Sequence, residues 1–250
     1  MKRIFSVLIL FIILLSLYTG WNLFGPVVSS PEKKFLFIKT GSSYEDVKGQ
    51  IISDKILSNI FFFNLISTTL KYDKHIKPGR YLIKNNSNLL SLIRMLKSGN
   101  QEPVRLVITK LRTKEDLAAK IGENFETDSA EVFKFITNND SLAPYHIDTN
   151  TIMTTFIPNS YLIWWNSSFT KILARLKKQH DYFWEGERTA KAKQKGYTPE
   201  QVYTIASIVE EETNMESDKG KIASVYMNRL KKGMKLEADP TVKYAMRNFE

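Results

Sequence analysis

The chain contains no cysteine. Disulfide stapling and lipid attachment at a lipoprotein-type cysteine are therefore both excluded, and the folded part must hold together by its core alone. Histidine is scarce too. His75, His146 and His180 lie far apart and show no metal-ligand spacing such as H-E-x-x-H, which argues against a metal site. No glycine-rich phosphate loop stands out and no nucleophile, histidine and acid set does, so no cofactor is expected. The net charge of +10 comes without a zinc finger, an RNA-binding signature or a dense basic run.

Charge itself is missing from one stretch. Met1-Lys2-Arg3 precedes an uncharged run from Ile4 to Pro26, dominated by Ile, Leu, Val and Phe, with Trp21 near its far end. Such a run meets the ~20 residues that a spanning helix needs. Lys2 and Arg3 predict a cytoplasmic N-terminus, with everything after the span outside the cytoplasm. A cleaved signal peptide is the competing reading. Val28-Ser29-Ser30 is a poor cleavage site and the apolar region is long for a secretory core, which favours an uncleaved anchor. Export argues against a nucleic-acid partner and leaves an anionic wall polymer or a lipid headgroup as the better match for the positive charge. Roughly 220 residues remain after the anchor, room for one large or two modest domains.

From Lys33 to about Lys110 the pattern reads strand, helix, helix, strand. Phe35 to Ile38 is a strand; Ser43-Tyr44-Glu45-Asp46 opens a helix that runs through Ile51 and Ile52. A second helix is expected over Phe61 to Leu70. Lys77-Pro78-Gly79 is a turn into a strand through Ile83, and Ser87 to Lys97 is an amphipathic helix closed by Ser98-Gly99-Asn100. A partial echo follows, with a strand over Val104 to Ile108 and a helix opening at Thr113. Further helices are predicted from Ala130 to Asn138 and from Phe169 to Trp184. Trp164 and Trp165 are adjacent, so at most one would face a groove, and core packing is expected for the pair.

The most informative stretch is Thr198 to Glu212. Thr198 can cap the first backbone N–H groups, Pro199 suits the first helical position and Gln201 can complete a capping box. Val202, Ile205, Ile208 and Val209 then share one face, and Glu212, seven residues after Ile205 and four after Ile208, continues it. Glu210 and Glu211 point elsewhere. A glutamate on an apolar face near a helix C-terminus loses hydration and meets the negative dipole end, and both effects favour the protonated form that a general acid needs. The competing reading of three consecutive glutamates is a solvated helix end. A second helix is expected from Asp218 to Lys232, with Ile222, Val225, Tyr226, Arg229 and Leu230 near one face and Gly233 as its cap. Leu236 to Tyr244 is expected to be extended, with Pro240 forbidding helix and holding Asp239 in a β-like conformation.

Three segments carry a resemblance to a known family. They are Ile205-Ala206-Ser207-Ile208-Val209-Glu210-Glu211-Glu212-Thr213, Ile222 to Leu230, and Asp239-Pro240-Thr241-Val242-Lys243-Tyr244. Together they resemble the endolytic murein transglycosylases of the YceG-like family. In that family the catalytic glutamate directly precedes a threonine, which here implies Glu212. The resemblance also implies an α+β fold: an N-terminal transmembrane helix, a LysM-like βααβ module and a mixed helical and strand catalytic domain. The expected boundaries are 1–26 for the anchor, 33–110 for the LysM-like module, 111–195 for a mainly helical connecting part and 196–250 for the catalytic core. Whether the module binds glycan or acts as a spacer stays open. Phe156-Ile157-Pro158-Asn159-Ser160-Tyr161 resembles a family segment in which Asp and Thr stand where Asn159 and Ser160 do, so Tyr161 is read as packing or a groove wall.

The reaction that the resemblance implies is cleavage of the β-1,4 bond after N-acetylmuramic acid within a glycan strand, leaving a 1,6-anhydro end. Ordinary glycoside hydrolysis needs two carboxyls; this lyase-type route needs one. Thr213, Asn228, Asp239 and Tyr244 are the candidates for positioning sugar or supporting Glu212, and each has a structural reading beside the functional one, Asp239 as a turn cap above all. Implied partners are peptidoglycan strands, the cytoplasmic membrane and penicillin-binding synthases. The competing functions are a non-catalytic wall-binding or divisome scaffold and a hydrolytic muramidase. The resemblance further implies that the catalytic fold continues for roughly another domain beyond Glu250.

Overall fold

The structure, a computed structural model, describes residues 2–32 and 34–249. Lys33, where the first module is expected to begin, lies outside the described residues. The chain divides into two compact units. The first comprises Met1–Leu106, Asn124–Thr127 and Leu162–Ser168, and the second Val107–Glu123, Asp128–Tyr161 and Phe169–Glu250.

The first unit opens with helix α1, Lys2–Phe24. Its stretch Ile4–Phe24 is long and apolar enough to cross a membrane, with a mean hydropathy of 2.3 and none of it buried in the protein. Strand β1 (Phe35–Ile38), helices α2 (Tyr44–Ser53) and α3 (Phe61–Thr69), strand β2 (Gly79–Leu82) and helix α4 (Leu89–Ser98) follow in the order the sequence pattern predicts. Each boundary has a local cause. Ser43 and Asp46 form a capping box at the start of α2, Asn88 caps α4, and Gly99 ends α4 with φ +73°, a conformation that costs glycine little. The two strands pair antiparallel, Phe35 opposite Leu82 and Ile38 opposite Gly79. Leu36 and Ile38 point from β1 into a core with Val47, Ile51, Phe63, Tyr72, Tyr81, Ile93 and Leu96, all buried. On the other side of β1, Phe37 meets Trp165 edge-on, ring centres 5.1 Å apart, and the Arg80 guanidinium lies 4.2 Å over the Phe35 ring.

Strand β3 (Val104–Ile108) pairs with β4 (Asn159–Ile163) in a second two-stranded sheet. Between them run α5 (Lys114–Asn124), α6 (Ser129–Ile136) and the single turn α7 (Asn139–Leu142). Asn138, expected as the end of α6, instead caps α7 by accepting from the N–H groups of Asp140 and Ser141. Tyr161 is buried and donates its hydroxyl to the Ile157 carbonyl at 2.6 Å, which is the packing alternative of the two expected for it. The tryptophan pair separates: Trp165 packs on Phe37, whereas Trp164, just past the end of β4, is exposed, which corrects the expectation of core packing for both.

Helix α8, Phe169–Trp184, buries Phe169, Ile172, Leu173 and Leu176. It is followed by α9 (Glu187–Gln194), which the sequence pattern does not predict because Ala192 is its sole buried residue and it has no apolar stripe. Then come α10 (Pro199–Glu212), α11 (Glu216–Lys231) and α12 (Asp239–Met246). Helix α12 corrects the expectation of an extended segment. Ala238 takes the extended conformation instead, at φ −98° and ψ 118°, and Pro240 falls in the first helical turn, where its missing N–H leaves no hydrogen bond unmade.

Candidate active site

Helix α10 starts as its sequence predicts. The Thr198 hydroxyl accepts from the Gln201 N–H at 3.3 Å, and the Gln201 side chain accepts from the Thr198 N–H at 2.9 Å. Ile205 and Val209 are buried, and they pack with Tyr226 of α11 and with Ala238 just before α12. The Tyr197 hydroxyl donates to the Met227 carbonyl at 3.3 Å and pins the base of α10 to α11. Arg229 donates to the Lys235 carbonyl at 2.7 Å and pairs with the Glu237 carboxylate, which fixes the loop leading to α12.

Three glutamates end α10, and successive residues point about 100° apart. Their surroundings differ accordingly. Glu210 pairs with Lys219 at 2.7 Å. Glu211 lies between Lys110 and Arg112, each at 3.0 Å. Partial burial pushes the Glu211 carboxyl up, but hydrogen bonds from Arg112 and Lys110 prevail and hold it below the usual carboxylate range. Glu212 has no cationic partner among the described residues; its carboxylate accepts a short hydrogen bond from the Tyr226 hydroxyl. Burial, reinforced by the Glu212 hydrogen bond and by the charges of Glu212 and Asp239, pushes the Tyr226 phenol up to about 12. Tyr226 therefore stays a donor across the physiological range.

The expected burial of Glu212 is corrected. Glu212 is exposed, because the apolar contact of α10 ends at Val209, one turn earlier, and the carboxylate reaches beyond it. Its direction is as the helical phase predicts, toward the α11 side, but water reaches it.

Among the other candidates, Thr213 is the C-cap of α10, in extended conformation, and its hydroxyl accepts from the Met215 N–H at 3.0 Å. This turns the chain into α11. Asp239 opens α12, is exposed, and acts on Tyr226 through its charge. Asn228 is exposed and lies two residues after Tyr226, about 200° around α11, and no hydrogen bond joins it to Glu212. Tyr244 is exposed on α12 with its ring 6.5 Å from that of Phe249. The sequence places Tyr226 on the inner face of α11 but does not identify it as the partner of Glu212. A hydroxyl among the residues Ile222, Val225 and Leu230 of that face was the available signal.

The chain is thus a mixed α and β protein led by an apolar helix, in which an exposed glutamate, Glu212, is held by the Tyr226 phenol of the neighbouring helix. The sequence model of the YceG-like family matches residues 36–250, so this chain belongs to the YceG-like family. Over 80 residues it is 40% identical to a protein of Bacillus subtilis (strain 168) named endolytic murein transglycosylase. That match covers 32% of this chain and 22% of the relative's own length. The crystal structure of a yceG-like protein from Listeria monocytogenes is similar in fold, with a TM-score of 0.54 at 24% identity over 86% of this chain and 76% of that one.

Proposed function

We propose that the protein is a membrane-anchored lytic transglycosylase that cuts peptidoglycan within its glycan strands, with Glu212 as both acid and base. The observation that carries this is the sorting of the three glutamates: Glu210 and Glu211 are neutralised by cations, while Glu212 is exposed and held by a neutral phenol. The similarity to a protein named endolytic murein transglycosylase supplies the substrate class.

In this reading Glu212, protonated, donates to the glycosidic oxygen leaving C1 of N-acetylmuramic acid, and the C1–O bond breaks. The same carboxylate then takes the proton of that sugar's C6 hydroxyl as its oxygen bonds to C1. The proton is returned, no water is consumed, and the product ends in a 1,6-anhydro ring. One carboxylate suffices because the nucleophile is tethered to the reacting carbon, which gives the entropic advantage of an intramolecular attack. Tyr226 steadies the carboxylate between the two proton transfers, and Asp239 and Thr213 support it indirectly. Helix α1 anchors the chain in the cytoplasmic membrane, with the N-terminus inside and the site outside. That position suits cleavage of nascent strands beside the synthases that polymerise them, and so a role in ending polymerisation. The LysM-like reading of residues 33–110 fits the strand, helix, helix, strand order.

The test is mass spectrometry of purified glycan strands after incubation with the protein and with Glu212→Gln. Anhydro ends released by the first and not the second support the proposal. Reducing muramic ends would make the protein a muramidase, and retention of full cellular function by Glu212→Gln would make it a scaffold.

A further inference from the structure

From Ile56 to Leu70 no residue is charged, in a chain that is 25% charged overall, and lysines bracket the stretch at positions 55 and 71. Helix α3 occupies its middle. Phe62, Phe63 and Ser67 face the core of the first unit and are buried. The opposite face carries Phe61, Leu65 and Thr68, within about 60° of one another around the helix. Phe61 is 62% exposed and Leu65 51%. A single exposed leucine is ordinary on a protein surface; an exposed helix face with no charge at all is not.

What lies beside that face is α1. The Phe62 ring meets Tyr18 of α1 edge-on, centres 5.8 Å apart, and Phe61 meets Phe62 at 5.3 Å. Tyr18 stands six residues before Phe24, the last residue of the apolar span, which is about 9 Å along the helix axis. The start of α3 is thereby held level with the final two turns of α1, where Trp21 and Phe24 are also exposed. Interfacial helices sink their apolar face about 5–10 Å into the boundary between headgroups and acyl chains, and tryptophan and tyrosine gather at that level.

We propose that α3 is a second membrane contact: its Phe61 and Leu65 face is embedded in the outer boundary of the same bilayer that α1 crosses, with Lys55 and Lys71 at the headgroups. This inference rests on α1 being a span. Its consequence is that the first unit is not a swinging domain on a flexible stalk. It is seated on the bilayer at two points, which fixes its height above the lipid.

The absence of native cysteine permits a direct test on the full chain. Single cysteines at the exposed positions Leu65, Leu14 and Met215 are labelled with an environment-sensitive fluorophore. The variants are reconstituted in vesicles of phosphatidylethanolamine and phosphatidylglycerol bearing nitroxide-labelled acyl chains. The expected result is a blue-shifted, nitroxide-quenched signal at Leu65→Cys and at Leu14→Cys, with Met215→Cys unshifted and unquenched. If Leu14→Cys is quenched and Leu65→Cys behaves like Met215→Cys, the contact is overturned while the span stands. Failure of Leu14→Cys to quench would overturn the span and the contact with it. Phosphatidylcholine vesicles in place of the anionic mixture separate the two contributions: quenching at Leu65→Cys that persists there assigns the contact to apolar burial, and its loss would overturn the embedding of the Phe61 and Leu65 face.

Discussion

Tyr226, in the third turn of α11, donates its hydroxyl to the carboxylate of Glu212, the last residue of α10. The bond joins two helices whose apolar contact ends at Val209, so it extends the interface by one polar link just where water begins. Removing the hydroxyl alone isolates its effect. Tyr226→Phe keeps the ring packed against Ile205 and Val209, and its thermal stability should stay within about 1 kcal/mol of the parent, the usual net value of one hydrogen bond. In the proposed reaction the same bond positions Glu212, so losing about 1 kcal/mol there should lower the release of anhydro ends about fivefold. Strand digests and a melting curve on the same preparation check both halves.

The Tyr226 phenol also predicts a pH dependence. Its ordinary value is 10.0 and burial, with Glu212 and Asp239 nearby, raises it to about 12 in the folded chain. Between those values the unfolded chain has lost the proton and the folded one keeps it, so stability falls as pH rises through that window and is complete below it. The phenolate absorbance near 295 nm is the readout. Eleven tyrosines share the band, so the difference between parent and Tyr226→Phe is the quantity to follow, and its phenolate step should lie above pH 10.

Glu211 and Glu212 should respond oppositely to the same substitution. Glu211→Gln breaks the contacts with Lys110 and Arg112 and should cost up to about 1 kcal/mol at low salt, shrinking as salt screens the pairs. Because this carboxyl titrates below its ordinary value of 4.5, its contribution is present above that value and is lost as pH falls through the lower folded value. Activity should persist. Glu212→Gln should leave melting unchanged and abolish anhydro-end release. Denaturation curves at two salt concentrations, beside the strand digest, separate the two residues.

Thr198→Ala removes the cap of α10 and should destabilise the second unit by about 1 kcal/mol. Thr198→Ser should restore it, since the hydroxyl is the part that accepts from Gln201. Urea denaturation of the three proteins is the measurement.

Local signals carried the sequence reading furthest where one residue type has one job. The helix start at Ser43, the capping box at Thr198, the helix end at Gly99 and the span of α8 all sit where the pattern places them. The misses share a cause. Pro240 is compatible with a turn and with the first turn of a helix, and the packing of α12 against α10 decides between them. The phase of Glu212 was legible, but its exposure was not, because periodicity gives a direction and not the distance at which the neighbouring helix ends. Tyr226 was readable as inward-facing; which side chain it meets depends on how Thr213 and Met215 steer the chain into α11. Helix α9, with its charged and alanine-rich surface, carries too little apolar pattern to announce itself.

The three glutamates that close α10 are chemically identical, and rotation alone tells them apart. A residue inserted between Val209 and Glu210 would turn the three glutamates by about 100° relative to Ile205 and Val209, which pack against Tyr226. Glu211 would swing toward the phenol and Glu212 away from it, with no acidic side chain gained or lost. In the proposed reaction the identity of the reacting group is thus written in the number of residues between Val209 and the helix end, and a length change there should be as damaging as deleting the carboxylate itself.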